Sequence, residues 1–541
     1  MNSRKVKLIL FFVLFFGMIF VVTGTADVNI NELPEKETLR ILMPQDPRTF
    51  DPHKTTSYAD DHILTFAYDR LVELDYDLST IKPALAESWD ISEDGLTYSF
   101  KLKKNVMFHS GKGFTADDVK YSFERWIAEE TASPSRNYIK ELKTINVEDD
   151  YRITITLKKS SNVFLKNLTS PYASILNKEA VVAAEESGQS YGMTDCDGTG
   201  AFKFKEWKYQ EYLLLERFEE YSWGSDVFTN KGPSPFKYVV FKPIPEVATG
   251  IMEFESGNID IMVPETIPPN EVNRLKDSEK VTLIIYNQLY VDYLGVNLAH
   301  AIVSDVRVRR ALSHAINKDE YVKVVLKGHA IPAIGPLAPQ TFCFWEGLKE
   351  VAYEYDPKKA NDLLEGAGWR MGSDGYRYKD GDKLHIKLYQ TMNPEYVQGM
   401  PLIQAYAKRV GIDIEIIALK GGGYWSAVNA NEHDIYAMGL SYIDPEGVLR
   451  FYFHSSQLPY PNRMAFSNAR VDELLDLAIT TMNVQKQIEA YEEVQKILNE
   501  EAVWIPLYHR LGWIGVSRNI KNYKVHAIMG HGVPVPLDYY K

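Results

Sequence analysis

The stretch "PALAESWDISEDGLTYSFKLKKNVMFHSGKGFTADDVKYSFERW" (Pro83–Trp126) holds two periodicities in one run. Leu96, Tyr98, Phe100 and Leu102 alternate with polar residues, the period-two pattern of a strand with one buried face. Asp94-Gly95 supplies a tight turn, so Trp89–Leu102 reads as a hairpin. Thr115 then stands as a helix N-cap, with Asp118 three residues on as its capping-box partner. Val119, Phe123, Trp126 and Ile127 share one face of that helix. Hairpin followed by amphipathic helix sets the class as mixed α/β.

The same mixture continues outward. Leu39–Met43, Tyr151–Lys159, "PFKYVVFKPIP" (Pro235–Pro245), "IDIEIIAL" (Ile412–Leu419) and "HDIYAMGL" (His433–Leu440) read as strands. "VWIPLYH" (Val503–His509) reads as the final one, and Gly198–Tyr221 as a second hairpin. Glu246–Met262 is a helix leading into a short strand, and Ser304–Leu326 a pair of helices. Asp356 caps a helix with Pro357 at its first position. Asn468–Thr480 and Gln485–Glu501 are late helices. The 541 residues exceed the roughly 250–300 that one core accommodates. Yet no linker or repeat divides them, which suits domains that exchange strands.

The net charge of -13 disfavours phosphate backbones, so nucleic acid is not expected as a partner. "MNSRKVK", the apolar run Leu8–Val22, and Gly24 and Ala26 before Asp27 have the anatomy of a secretory signal peptide over residues 1–26. The run is shorter than the roughly 20 residues of a membrane span, although a retained anchor stays open. No Cys follows it, which argues against a lipoprotein. In an exported chain Cys196 and Cys343 are either paired or buried free thiols.

Catalytic patterns are weak. "GQSYG" (Gly188–Gly192) matches a nucleophile elbow around Ser190, but a helix precedes it and a loop follows, the reverse of what the elbow needs. A secreted hydrolase therefore stays a remote reading. His109, His314, His433 and His454 lack metal-ligand spacing, so no metal or cofactor is expected. "KGGGY" (Lys420–Tyr424) reads as a flexible loop. The 34 Tyr, 24 Phe and 9 Trp suit a cleft that recognises a ligand by shape and stacking, beyond what the core consumes.

Pro83–Trp126 resembles the signature region of the peptide/nickel class of extracellular solute-binding proteins, the capture subunits of ABC importers. Gly198–Tyr221, Leu294–Pro339, "YDPKKANDLLEGAGW" (Tyr355–Trp369) and "HDIYAMGLSYIDPEGVLRFYFHSS" (His433–Ser456) resemble its further blocks, in order. The resemblance implies a two-lobed α/β periplasmic-binding-protein fold with an extra domain and a hinged interlobe cleft. The first lobe would comprise 27–58, 196–290 and 503–541, the extra domain 59–195 and the second lobe 291–502, with crossings near Val291 and Val503. It further implies a monomer, not an enzyme, on the outer side of the cytoplasmic membrane, handing a small solute to a membrane-embedded permease. Ligands in the class range over peptides, nickel chelates, opines, glutathione and oligosaccharides. Peptides lead, with oligosaccharides as the alternative.

In peptide-binding members an Asp four residues before the fifth block's Pro commonly holds the ligand's α-amino group. Here that Pro is Pro445 and the position is Ser441, which carries no charge. Asp444 reads as the cap of a helix beginning at Pro445, with ligand contact as the alternative. The resemblance places Gln45, Thr49 and Phe50 on a cleft-facing loop of the first lobe. Tyr424, Trp425 and Tyr442 are the aromatic candidates of the second lobe, each of which packing alone would also explain.

Overall fold

The computed structural model describes residues 28–193, 196–526 and 533–541; the signal peptide expected over residues 1–26 lies outside the described residues. One sheet organises the molecule. Its strands are β1 (Thr38–Met43), β2 (Phe202–Lys208), β3 (Tyr212–Arg217), β4 (Tyr238–Pro243), β5 (Ile261–Met262) and β6 (Val281–Asn287). They continue as β7 (Tyr290–Val296), β8 (Ala330–Pro332), β9 (His385–Thr391), β10 (Asp413–Leu419), β11 (Ile435–Ser441) and β12 (Trp504–Ser517). The order is β10-β9-β11-β7-β12-β5-β1-β4-β3-β2, and β6 and β8 also pair with β12.

β12 joins the two lobes. Its first part pairs with β7 of the second lobe, from Gly295↔Trp504 to Asp292↔Tyr508. Its second part pairs with β6 from Asn287↔Leu511 to Val281↔Ser517, and with β5 of the first lobe. The sequence pattern predicts this strand only as far as His509, but the strand has 14 residues and runs on to Ser517. Its continuation depends on Gly512, where a Cβ would come within 2.5 Å of the Tyr286 ring that crosses it. Gly512 and Gly515 weaken the strand pattern, and pairing with β6 extends it.

Within the first lobe β1 is parallel to β4 and β5, and within the second β9 is parallel to β10 and β11. Parallel strands are covered on both faces. β1, "TLRILM", is accordingly buried at five of its six positions. In the second lobe separate apolar clusters fill the two sheet faces, one including Leu388 and Ile403, the other Tyr293 and Trp504.

The hairpin expected over Trp89–Leu102 forms from strands Ala86–Ile91 and Thr97–Leu102, inside a four-stranded sheet. The helix after it spans Ala116–Ile127 and carries the Thr115–Asp118 capping box. Phe100, Phe123 and Trp126 from this part belong to the same buried cluster as Leu39 and Ile41 of β1, so the extra domain and first lobe share one core. Cys196 lies in that cluster and Cys343 in one of the second lobe's; both are buried. "GQSYG" follows the helix Lys178–Glu186, and its Gly192 carbonyl accepts from the Phe50 N–H (2.7 Å), a structural tie. Residues Gly421–Asn429 form a helix rather than the loop expected from "KGGGY". Tyr424, Ala427 and Val428 anchor it against the sheet, and that burial outweighs the helix cost of three glycines, roughly 1 kcal/mol each.

Four buried histidines set an acid limit on the fold. Burial holds His433, His509 and His526 at about 4 and His53 at about 3, all below the usual 6.5. The unfolded chain therefore takes up these protons first. The stability they confer is complete above pH 6.5 and is lost as pH falls toward 4, at about 1.4 kcal/mol per pH unit for each. Calorimetry between pH 6.5 and 4 should show a steep fall in Tm; a flat profile would contradict neutral buried histidines.

Candidate ligand-binding cleft

The direction of each strand locates the cleft. β5 is antiparallel to β12, with Met262 opposite Gly515, so the carboxyl ends of β5, β1 and β4 point back along β12 toward Leu511. In the second lobe Ser441 at the end of β11 lies opposite Tyr290, and β12 advances past the same level at Tyr508. Thr391 and Leu419, ending β9 and β10, lie on that side. The carboxyl ends of both parallel arrays thus converge on residues 508–511 of β12, and on the β6–β7 junction beside them. Ligands of open α/β sheets bind outside such carboxyl ends. The Gln288 N–H donates to the Arg510 carbonyl (3.1 Å) at this junction.

Charged groups cluster there. Arg510 Nε donates to Asp292 Oδ2 (2.9 Å) and its terminal nitrogen to Glu395 Oε2 (2.7 Å). The Tyr396 hydroxyl donates to Asp292 Oδ1 (2.8 Å), and Tyr508 to Glu395 Oε2 (3.2 Å). Tyr290 lays its ring 4.3 Å from the Arg510 guanidinium carbon. Burial pushes the Asp292 carboxyl above its ordinary range, while Arg510 and the Tyr396 hydroxyl pull it back. Burial alone would lower Arg510; Asp292, with Tyr290, Tyr508 and Glu395, reverses the direction and keeps the guanidinium charged. Sequence reasoning missed this set. A signal was present: Asp292 interrupts the apolar strand "YVDYLGV", and a buried charge requires a partner such as Arg510.

The expected contact residues are dispersed. Gln45, just past β1, is exposed. The Thr49 hydroxyl donates to the Gly192 carbonyl (3.2 Å) and accepts from the Asp51 N–H (3.0 Å). Phe50 is buried against Phe204 and Trp207. Thr49 and Phe50 therefore pin their loop rather than line the cleft. Tyr424 is 1 % exposed, and its hydroxyl donates to the Ala437 carbonyl (2.7 Å). Tyr442 is buried, its hydroxyl accepting from the Ala338 N–H (2.5 Å) with Thr341 Oγ1 3.1 Å away. Neither tyrosine keeps surface to offer a solute. Trp425 is helical, 38 % exposed, with its ring 4.9 Å from the Arg463 guanidinium carbon, which also stacks on Tyr460 (4.3 Å).

Ser441 is exposed at the strand end. Asp444 Oδ1 accepts from the Gly447 N–H (2.9 Å) at the start of helix Glu446–Phe453, and Pro445 is already in helical conformation. The capping geometry begins at Asp444. That carboxylate also bears electrostatically on Tyr138 and Lys166 of the extra domain, where burial dominates, raising the tyrosine pKa and lowering the lysine's.

The extra domain grips the second lobe directly. Helix Ala469–Thr480 ends with carbonyls that no helical N–H can reach. The Asn162 N–H donates to Ile479 O (3.0 Å), its side-chain amide to Thr481 O (3.2 Å) and Ala478 O, and Ser160 Oγ to Thr480 O (3.0 Å). Gly95 permits this approach. Its φ is +67°, and a Cβ there would come within 2.4 Å of Ser160 Oγ. A separate cavity of about 1270 Å³ is lined by Tyr76, Ile284, Lys524 and neighbours from the first lobe and extra domain, with no contribution from residues 291–502.

Comparison with known proteins decides the family. Residues 80–459 match the family described as "Bacterial extracellular solute-binding proteins, family 5 Middle". The chain belongs to this family. Heme-binding protein A of Haemophilus influenzae is 30 % identical over 478 residues, covering 84 % of each chain. The dipeptide-binding protein of Escherichia coli is 26 % identical over 540 residues, covering 95 % of this chain and 97 % of that protein. The periplasmic binding protein DppA from Helicobacter pylori, solved with the peptide STSA, superimposes with a TM-score of 0.71 at 28 % identity. That match covers 93 % of this chain and 98 % of the other. The two-lobed fold is thus that of family 5. No helix among the described residues is long and apolar enough to cross a membrane.

The Ser160–Asn162 hydrogen bonds join the extra domain to the second lobe in this arrangement. An Asn162→Ala change should weaken apposition by about 1–3 kcal/mol. Small-angle scattering of the ligand-free protein should report a larger radius of gyration. An unchanged radius would assign the clasp no part in closure.

Proposed function

We propose that this family 5 protein captures a peptide in the interlobe cleft and presents it to a membrane-embedded ABC permease without altering it. The convergence of both lobes' strand ends on the Arg510 hinge carries this reading. A solute between those ends touches both lobes only when they close, so binding shifts the open–closed equilibrium by the difference in affinity. Relatives support the ligand class: the dipeptide-binding protein of Escherichia coli and the STSA complex from Helicobacter pylori are both named for peptides. Ser190 stands between a helix and a loop, a context that does not favour a nucleophile elbow.

We further propose the division expected from the sequence, with lobes 27–58 plus 196–290 plus 503–541 and 291–502, and the extra domain 59–195. The exported protein would act as a monomer on the outer side of the membrane.

Native mass spectrometry of the purified protein should show a peptide released on denaturation with its covalent structure intact. Added peptide at about a hundred times its Kd should stabilise the fold by about 2.7 kcal/mol in thermal unfolding. Recovery of cleaved peptide would overturn the receptor reading. A Soret band in the purified protein would replace the peptide with a heme, as named for the Haemophilus influenzae relative.

A further inference from the structure

Charge at the hinge does not balance. Asp292 is fully buried and both its oxygens are engaged, one by Arg510 and one by Tyr396. It is the structural partner of Arg510. Glu395 is the surplus acid. Its Oε2 accepts from both Arg510 and Tyr508, while Oε1 has no partner among the described residues, and its side chain is 32 % exposed. One guanidinium and two carboxylates leave a net negative charge, and its open side is Glu395.

Position makes this charge a cleft feature. Glu395 opens the helix Pro394–Arg409, immediately after the carboxyl end of β9. Carboxyl ends of parallel strands are where solutes sit in such sheets. Independently, the Tyr321 hydroxyl has no partner although the residue is 1 % exposed. The Tyr321 ring stacks on Tyr508 (5.8 Å), and its oxygen lies against Gly399, one turn along the helix from Glu395. The cluster keeps unspent polar capacity beside Glu395. Ser441, opposite Tyr290 in the ladder, adds no charge of its own.

We propose that Glu395 receives a cationic group of the solute, an alkylammonium such as a peptide's α-amino group. The inference rests on the peptide-receptor reading. An ammonium here gains a charge-assisted hydrogen bond to Oε1, shorter and stronger than a neutral one. A carboxylate at the same place would meet Glu395 with like charge. Glu395 thus selects which end of a peptide enters the hinge side of the cleft, and Arg510 with Tyr508 fixes its rotamer.

The test uses a tripeptide library of Ala, Ser, Val and Leu and its Nα-acetylated counterpart, each titrated against the full-length protein by calorimetry. The wild type should bind the free-amine library at least about tenfold more tightly. Glu395→Gln should lose that preference, and Glu395→Asp should keep part of it. Unliganded Tm values of the variants separate a binding effect from misfolding. Equal binding of both libraries by the wild type overturns the Glu395 assignment while leaving the receptor reading intact. Discrimination that persists in a folded Glu395→Gln protein overturns it as well. Binding of neither library overturns the peptide reading, and this inference with it.

Discussion

The main-chain ladder along Trp504–Ser517 is the constraint on which the molecule depends. One strand pairs with β7 in the second lobe and with β5 and β6 in the first. Strand pairing fixes direction as well as proximity, so the carboxyl ends of both parallel arrays must face one level of this strand. A cleft there follows from topology, before any side chain is considered. The β6–β7 run crosses at the same level, so two strands connect the lobes side by side. The two connections lie side by side at Gln288 and Arg510, where the Gln288 N–H donates to the Arg510 carbonyl (3.1 Å).

The hinge carries charge for a physical reason. Asp292 is fully buried and cannot carry its charge alone; half-buried Arg510 supplies the partner. Placed across adjacent strands, they satisfy one another, and Tyr396, Tyr508 and Tyr290 complete the shell. The second carboxylate, Glu395, is not required for that neutralisation. A residue left over from the structural balance, half open to solvent at the cleft, is where recognition is most economically placed.

Much of the fold was legible from local pattern. The Asp94-Gly95 turn, the Thr115–Asp118 capping box and the Asp356–Pro357 helix start each rest on short-range geometry, and each is present. The failures share a cause. "KGGGY" has poor helix propensity, yet Tyr424 is buried and the helix forms around it. The final strand was cut short because Gly512 and Gly515 weaken the strand signal, whereas pairing with β6 restores it. Aromatic residues singled out for a ligand, Phe50, Tyr424 and Tyr442, were taken by the core instead. A sequence shows that an aromatic ring is available; it does not show which surface claims it.

The sequence by itself determined the α/β class, the order of elements and the family resemblance, because these depend on periodicity, capping and turn chemistry within a few residues. It also showed that Ser441 brings no charge to its strand end. Only the tertiary structure decided where the cleft lies and what charge its floor bears. Asp292, Glu395 and Arg510 are separated by more than a hundred residues in each step along the chain, and only the pairing of β9, β11, β7 and β12 in one sheet brings them within hydrogen-bonding distance.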